Sequence, residues 1–68
     1  MLIIKQERLR HGWTQEYVGS QVGVSAEAVG MIEAGKRKPS YQVLVELENI
    51  FKLSHRELFA QFNENTNV

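Results

Sequence analysis

The 68 residues include no cysteine, and eight Lys and Arg residues balance eight acidic residues, so the formal net charge is zero. A chain this short forms one domain with a thin core, because it buries only about 60% of the surface that the unfolded chain exposes. The lack of cysteine excludes disulfides and thiolate metal sites, and a hydrophobic content of 43% excludes general disorder.

The N-terminal residues are not expected to form a signal peptide. The apolar start, Met1–Ile4, is followed at once by charged residues and is too short for a signal peptide or a membrane span. We therefore expect a cytoplasmic chain that makes no membrane contact. The domain is expected to cover residues 1–62, with residues 63–68 as a short flexible tail and no second domain for a small-molecule ligand.

Three glycines divide the first half of the chain. Gly12, Gly23 and Gly35 each follow a helix-like segment, where a left-handed residue ends a helix. This spacing predicts helix 1 at 2–11, helix 2 at 14–22 and helix 3 at 25–34. Thr14 and Ser25 are suitable N-cap residues for helices 2 and 3.

Two further helices are predicted in the second half. Pro39 forbids a helix through the basic loop of residues 36–39, and Ser40 is placed to cap helix 4 at 40–51. The apolar residues of helix 4 recur at helical spacing: Tyr41, Leu44, Leu47 and Phe51. Lys52 then takes a position that favours a left-handed glycine. Ser54 and Glu57 have the spacing of a capping box, which predicts helix 5 at 54–62. No segment alternates with a period of two, so the predicted fold is all-α.

Helices 2 and 3 have the outline of a helix-turn-helix. Gly19 permits a close crossing, Gly23 lets the chain reverse, and valines and an isoleucine face inward from both helices: Val18, Val22, Val24, Val29 and Ile32. The alternative is a pair of amphipathic helices in an unrelated small bundle.

Residues 4–59 resemble the Cro/repressor-type, or XRE-like, helix-turn-helix family. The matching pieces are Arg8-Leu9, Gly12–Gln15, Val22–Ser25, Ile32-Glu33, Gly35–Ser40 and Ser54 with Glu57–Phe59. The resemblance implies a compact five-helix, lambda-repressor-like domain that binds operator DNA as a two-fold dimer and regulates transcription.

The resemblance also implies roles for individual residues. Gln15 matches a position that contacts a phosphate, which agrees with the affinity of a helix N-terminus for anions. The basic loop after helix 3 resembles a phosphate-binding loop, although a short basic run is usually only solvated surface. The phosphate-contact candidates are Thr14, Gln15, Ser25, Lys36, Arg37 and Lys38.

The outward face of helix 3 provides the base-contact candidates, which are Ala26, Glu27, Ala28, Gly30 and Met31. This set lacks the Arg that reads guanine and the Asn or Gln that reads adenine. Ala26 or Ala28 could touch a thymine methyl group, and Glu27 could accept from cytosine or repel phosphate. Gly30 would let the helix backbone approach closely. We therefore expect a weak or shape-dependent readout.

Other residues are predicted to be structural. Arg8 and Glu33 match an internal ion pair between helices 1 and 3, and Trp13 matches a core position. His11 and His55 have no nearby ligand set in sequence, so neither a metal nor any other cofactor is predicted. A thin core favours dimerisation, and the interface candidates are Leu58, Phe59 and Phe62.

Two classes of function fit the sequence, and a third does not. The first is a repressor that binds a palindromic operator in double-stranded DNA as a homodimer. The second is a protein-interaction module, such as an antitoxin or adaptor, which the zero net charge favours because DNA-binding domains are ordinarily basic. The charge is uneven, however, at +2 over residues 1–40 and −2 over residues 41–68. The third, an enzyme, lacks any catalytic motif, so we expect no catalysis.

Overall fold

Five helices make up residues 2–61, the part of the chain that the computed structural model describes. Their bounds are α1 at Ile3–Arg10, α2 at Gln15–Val22, α3 at Ala26–Glu33, α4 at Tyr41–Phe51 and α5 at His55–Leu58. Within residues 2–61 there is no strand, only an isolated antiparallel bridge between Leu2 and Gln61. The predicted all-α fold is therefore confirmed. The expected tail at 63–68 lies outside the described residues.

The predicted N-caps are all present, which explains where α2, α3 and α4 begin. The Thr14 hydroxyl accepts from the Tyr17 N–H at 2.9 Å. In the same way, the hydroxyls of Ser25 and Ser40 each accept from the N–H of the residue three positions later in the chain. The capping box at the start of α5 is also formed. At the helix ends, the three predicted glycines and Lys52 all have positive φ, with 60° at Lys52.

Helix α5 is shorter than predicted. It stops at Leu58, so the prediction of a helix over 54–62 is wrong. The backbone after Leu58 turns toward the start of the chain, where the carbonyl of Ala60 accepts from the N–H of Ile3 at 2.9 Å. Gln61 then pairs with Leu2. Since the Ala60 carbonyl is committed to the other end of the chain, it cannot accept from a further turn of helix, and α5 is limited to one turn.

The core is small and draws on every helix, with two residues each from α2 and α4 and one each from α1, α3 and α5. Its buried members are Ile4, Val18, Val22, Val29, Leu47, Phe51 and Leu58. Trp13, Val24 and Phe59 pack against this cluster while remaining partly exposed. Tyr41, which was expected on the apolar face of α4, is 81% exposed, because α4 packs through its later turns.

Gly19 is required by the turn and not by α3 itself. A Cβ at Gly19 would lie 2.5 Å from the carbonyl oxygen of Val24 and 3.1 Å from the carbonyl carbon of Ser25. Both are backbone atoms of the segment that joins α2 to α3. The predicted close approach at Gly19 is therefore present, but the neighbour is the connecting turn.

Candidate nucleic-acid interface

Helices α2 and α3 form a tight unit joined by three residues. The N–H groups of Gly23 and Val24 both donate to the carbonyl of Gly19, which closes α2 and reverses the chain. Ser25 then caps α3. Because the side chains of Thr14 and Ser25 accept from N–H groups of their own helices, they determine where α2 and α3 begin.

A buried ion pair connects α3 to α1. Arg8 donates from Nε to Glu33 Oε2 at 2.6 Å and from Nη2 to Glu33 Oε1 at 3.2 Å. The remaining Nη1 donates to the carbonyl of Trp13 at 2.9 Å. Arg8 and Glu33 are 7% and 5% exposed. A charge removed from water needs a partner of opposite charge, and each residue provides it for the other.

Gln15 joins this network, which the sequence did not predict. Its Nε2 donates to Glu33 Oε1 at 3.2 Å. Gln15 is the first residue of α2 and Glu33 the last of α3, so one carboxylate ties together α1, α2 and α3. A side-chain amide carries two N–H donors, and within residues 2–61 Glu33 is the sole partner that we find for this amide. The second N–H of Gln15 therefore has no partner among residues 2–61.

The outward face of α3 is smaller than predicted. Glu27 and Met31 are exposed and Ala26 is half-buried. Ala28 is only 4% exposed, so the expectation that it faces outward is wrong and it is not a base-contact candidate. The reason is helical periodicity: Ala28 lies one turn before Ile32 and therefore shares its buried face.

Gly30 also differs from its expected setting. It is half-buried, and the three atoms nearest to a Cβ built there all belong to the Gln15 side chain. Glycine within a helix costs about 0.5–1 kcal/mol relative to Ala. In this structure the space beside Gly30 is filled by Gln15.

The basic loop starts directly from the end of α3. The N–H of Gly35 donates to the carbonyl of Ile32 at 3.1 Å and that of Lys36 to Met31 at 2.9 Å. This is a Schellman motif, and the left-handed glycine it needs is Gly35, with φ of 76°. Lys36, Arg37 and Lys38 are all exposed, and none forms an ion pair with another residue of the described range. Three positive charges are thus available beside α3.

Lys5 is a candidate that the sequence analysis missed. It lines two neighbouring concavities together with Gln15. One, of about 280 Å³, also includes Gly30 and Glu33; the other, of about 570 Å³, includes Arg8 and Thr14. Lys5 has no ion-pair partner among residues 2–61. The signal in the sequence was its i, i+3 spacing from Arg8, which places both on one side of α1.

Comparison with known proteins identifies the family of this arrangement. A family defined as helix-turn-helix matches residues 4–58. The chain belongs to the XRE-like helix-turn-helix family of DNA-binding transcription regulators. Regulators of this family are typically non-enzymatic.

Relatives of this helix-turn-helix chain carry matching descriptions. The YgzD protein of Bacillus subtilis, described as an uncharacterized HTH-type transcriptional regulator, is 32% identical over 62 residues, or 91% of this chain and 94% of its own length. An Archaeoglobus fulgidus protein of the same description is 32% identical over 56 residues, or 82% and 80% of the two chains. No solved structure matches significantly.

The dimer-interface candidates of this helix-turn-helix domain differ in their exposure to solvent. Leu58 is 0% exposed, so its side chain is core and the prediction that it contacts a second copy is wrong. Phe59 is half-buried against the core and keeps some exposed surface. Phe62 lies outside the described residues.

The two histidines have separate settings. The ring of His11 stacks on Trp13, with centroids 4.2 Å apart, and Trp13 packs onto Phe51. His55 Nδ1 lies 2.9 Å from Glu48 Oε2, which also accepts from the His55 N–H. These hydrogen bonds lower the pKa of Glu48, the side-chain bond contributing most. Within residues 2–61 no group of three His or acidic residues is arranged to hold a metal, and no helix there has the length and apolarity to cross a membrane.

Proposed function

We propose that this chain is a transcriptional repressor that acts in the cytoplasm, binding a palindromic operator as a homodimer with α3 in the major groove. The observation that carries the proposal is the contact between Gln15 and α3 at Gly30 and Glu33. It sets the N-terminus of α2 beside the exposed surface of α3. Helix N-termini attract phosphate oxygens, so α2 would fix the register of α3 on the duplex.

Positive charge supports the same docking. Lys5 borders Gln15, and Lys36, Arg37 and Lys38 follow α3 directly. Contacts to phosphates supply most of the affinity of such an interface and orient the protein without reading sequence. The local charge thus favours DNA, although the net charge of the chain is zero.

Base reading falls to few side chains. Glu27 and Met31 are the exposed candidates, with Ala26 half-buried. Glu27 suits a cytosine amino group, whereas Ala26 and Met31 suit a thymine methyl group. With no bidentate side chain among them, the proposal assigns much of the specificity to groove shape and DNA deformability.

The homodimer follows from the operator geometry. Two copies would place their α3 helices in successive major grooves, about 34 Å apart. Phe59 and Phe62 remain the interface candidates. Sedimentation or light scattering of the chain bound to a duplex that it selects from a random DNA pool should give two copies per site. One copy per site at saturation overturns this part of the proposal.

The test of the proposal is selection of bound duplexes from a random DNA pool at low salt. We expect enrichment of sequences with two-fold symmetry. The matched control is a variant with Lys36, Arg37 and Lys38 all replaced by Gln, which should retain the fold and enrich nothing. Equal recovery by both proteins, or no enrichment by the unaltered chain, contradicts the proposal.

A protein partner is the second candidate function. It is favoured by an open groove of about 370 Å³ between the basic loop, α4 and α5, bordered by Pro39, Leu44 and Phe59. Salt separates the two functions. Binding through several phosphates weakens steeply as salt rises, whereas apolar contact with a protein does not.

A further inference from the structure

We propose that Gly30 is a positioning residue for DNA binding, and that its missing side chain makes room for the Gln15 amide that contacts a phosphate. This inference rests on the proposed function, since it assumes that Gln15 meets DNA. It assigns to Gly30 a role through Gln15 and not through its own contact with a base.

The backbone at this position does not require glycine. Gly30 lies in the middle of α3, whereas the glycines of positive φ are Gly12, Gly23 and Gly35. Glycine is the least favourable residue for a helix interior apart from proline. The reason for glycine here must therefore lie in what surrounds it.

The nearest neighbour of Gly30 is the end of the flexible Gln15 side chain. A Cβ at Gly30 would lie 3.2 Å from Nε2, 3.6 Å from Oε1 and 3.7 Å from Cδ of Gln15. The contrast with Gly19 is sharp, because there a Cβ would meet backbone at 2.5 Å. The fold needs Gly19, but at Gly30 only the place of the Gln15 amide depends on the glycine.

The other side of the amide is held by Glu33. Its Oε1 accepts from Gln15 Nε2, and the same carboxylate is fixed by Arg8. Gln15 is thereby confined between the backbone of Gly30 and an anchored carboxylate. With one N–H committed to Glu33, the direction of the second is set, which is the arrangement that a preformed phosphate contact requires.

The test is a double-mutant cycle with Gly30→Ala and Gln15→Ala, measured by DNA affinity on the selected duplex and by thermal unfolding. Gly30→Ala should raise Tm by about 2–8 °C and weaken DNA binding about 2- to 10-fold, the worth of one hydrogen bond. In the Gln15→Ala background the same substitution should still raise Tm and should leave the affinity unchanged. The rise in Tm shows that any loss of affinity is not unfolding.

Two results overturn the inference. If Gly30→Ala weakens binding equally with and without Gln15, then Gly30 acts by letting DNA approach the α3 backbone. If it leaves the affinity unchanged when Gln15 is present, Gly30 positions nothing. The side-chain amide resonances of Gln15 in NMR spectra of the free protein provide a readout without DNA, and Gly30→Ala should shift them. Failure of the unaltered chain to bind any duplex overturns the proposed function instead, and those resonances then still report whether Gly30 places the amide.

Discussion

Arg8 and Glu33 join α1 to α3 through two hydrogen bonds of 2.6 and 3.2 Å, although 25 residues separate them in the chain. Replacing Glu33 by Gln leaves the buried guanidinium without its counter-charge. We expect the free energy of unfolding to fall by about 3–5 kcal/mol, a large part of the stability of a domain this size. Urea denaturation followed by circular dichroism measures it.

The matched control is Glu7→Gln, which breaks the exposed ion pair between Glu7 and Arg10 on the surface of α1. Glu7→Gln should lower the free energy of unfolding by far less than Glu33→Gln does, because solvent screens exposed pairs. Similar losses for the two variants would show that burial adds nothing to the Arg8–Glu33 pair.

Gly19→Ala should destabilise the domain, although alanine is the better helix former. Its Cβ would come within 2.5 Å of the Val24 carbonyl oxygen, and backbone there must move. Overpacking of this kind costs about 1–3 kcal/mol. The measurement is thermal unfolding of Gly19→Ala and Gly30→Ala side by side, since the two substitutions should shift Tm in opposite directions. A rise in Tm for Gly19→Ala contradicts the close approach.

Lys52→Gly should stabilise the domain by about 1 kcal/mol. Lys52 ends α4 with φ of 60°, a left-handed conformation in which a Cβ is unfavourable and glycine is not. Urea denaturation measures the gain. Lys52→Ala is the control, because it removes the same charge and keeps the Cβ. An equal gain from both variants would assign the effect to charge.

Acid should weaken the contact between α4 and α5. The pKa of Glu48 is lowered by its hydrogen bonds from His55. A lowered pKa means that the stabilisation is complete above the pKa of the unfolded chain, near 4.5, and disappears as pH falls through the folded value. Tm should therefore differ between the unaltered chain and Glu48→Gln at pH 7, and the difference should disappear as the pH falls through the lowered pKa of Glu48.

Glu27→Gln is the control for this titration, since Glu27 forms no ion pair with any residue from 2 to 61. Its Tm should track that of the unaltered chain across the same range. A constant offset between the unaltered chain and Glu48→Gln at every pH would contradict the assigned interaction.

Each residue of the basic loop that meets a phosphate should contribute to the salt dependence of DNA binding. For Arg37→Gln the slope of log affinity against log salt should decrease by about 1, because one fewer counterion is released. Arg56→Gln on α5 removes the same charge elsewhere and should leave the slope unchanged. Affinities over a series of salt concentrations decide it, and equal slopes for both variants would remove Arg37 from the interface.

Local rules were sufficient for the starts of α2, α3 and α4. Thr14, Ser25 and Ser40 cap as predicted because a cap depends on residues three positions apart. The rotation of a helix about its axis depends on distant partners, so Ala28 and Tyr41 were placed on the wrong faces. The length of α5 was wrong for the same reason, since its end is determined by residues at the start of the chain.

The candidate site shows the same division. The basic loop and the N-terminus of α2 were predicted as phosphate contacts from the family resemblance, which rests on short stretches of sequence. The hydrogen bond from Gln15 to Glu33 spans 18 residues and depends on the crossing of α2 and α3. Lys5 was missed because its proximity to Gln15 arises only in the folded chain, where both residues line the same concavities.

The bridge between Leu2 and Gln61 has a consequence for the order of folding. The contact of α2 with α3 closes a short loop, whereas pairing the two ends of the described chain closes almost all of it, at a greater entropic cost. We therefore expect the helix-turn-helix unit to gain its contacts before the junction of α1 with α5 forms. Leu2 and Gln61 line the same concavity as Lys5, Gln15 and Gly30, so separation of the chain ends would also change the surface that is proposed to meet DNA.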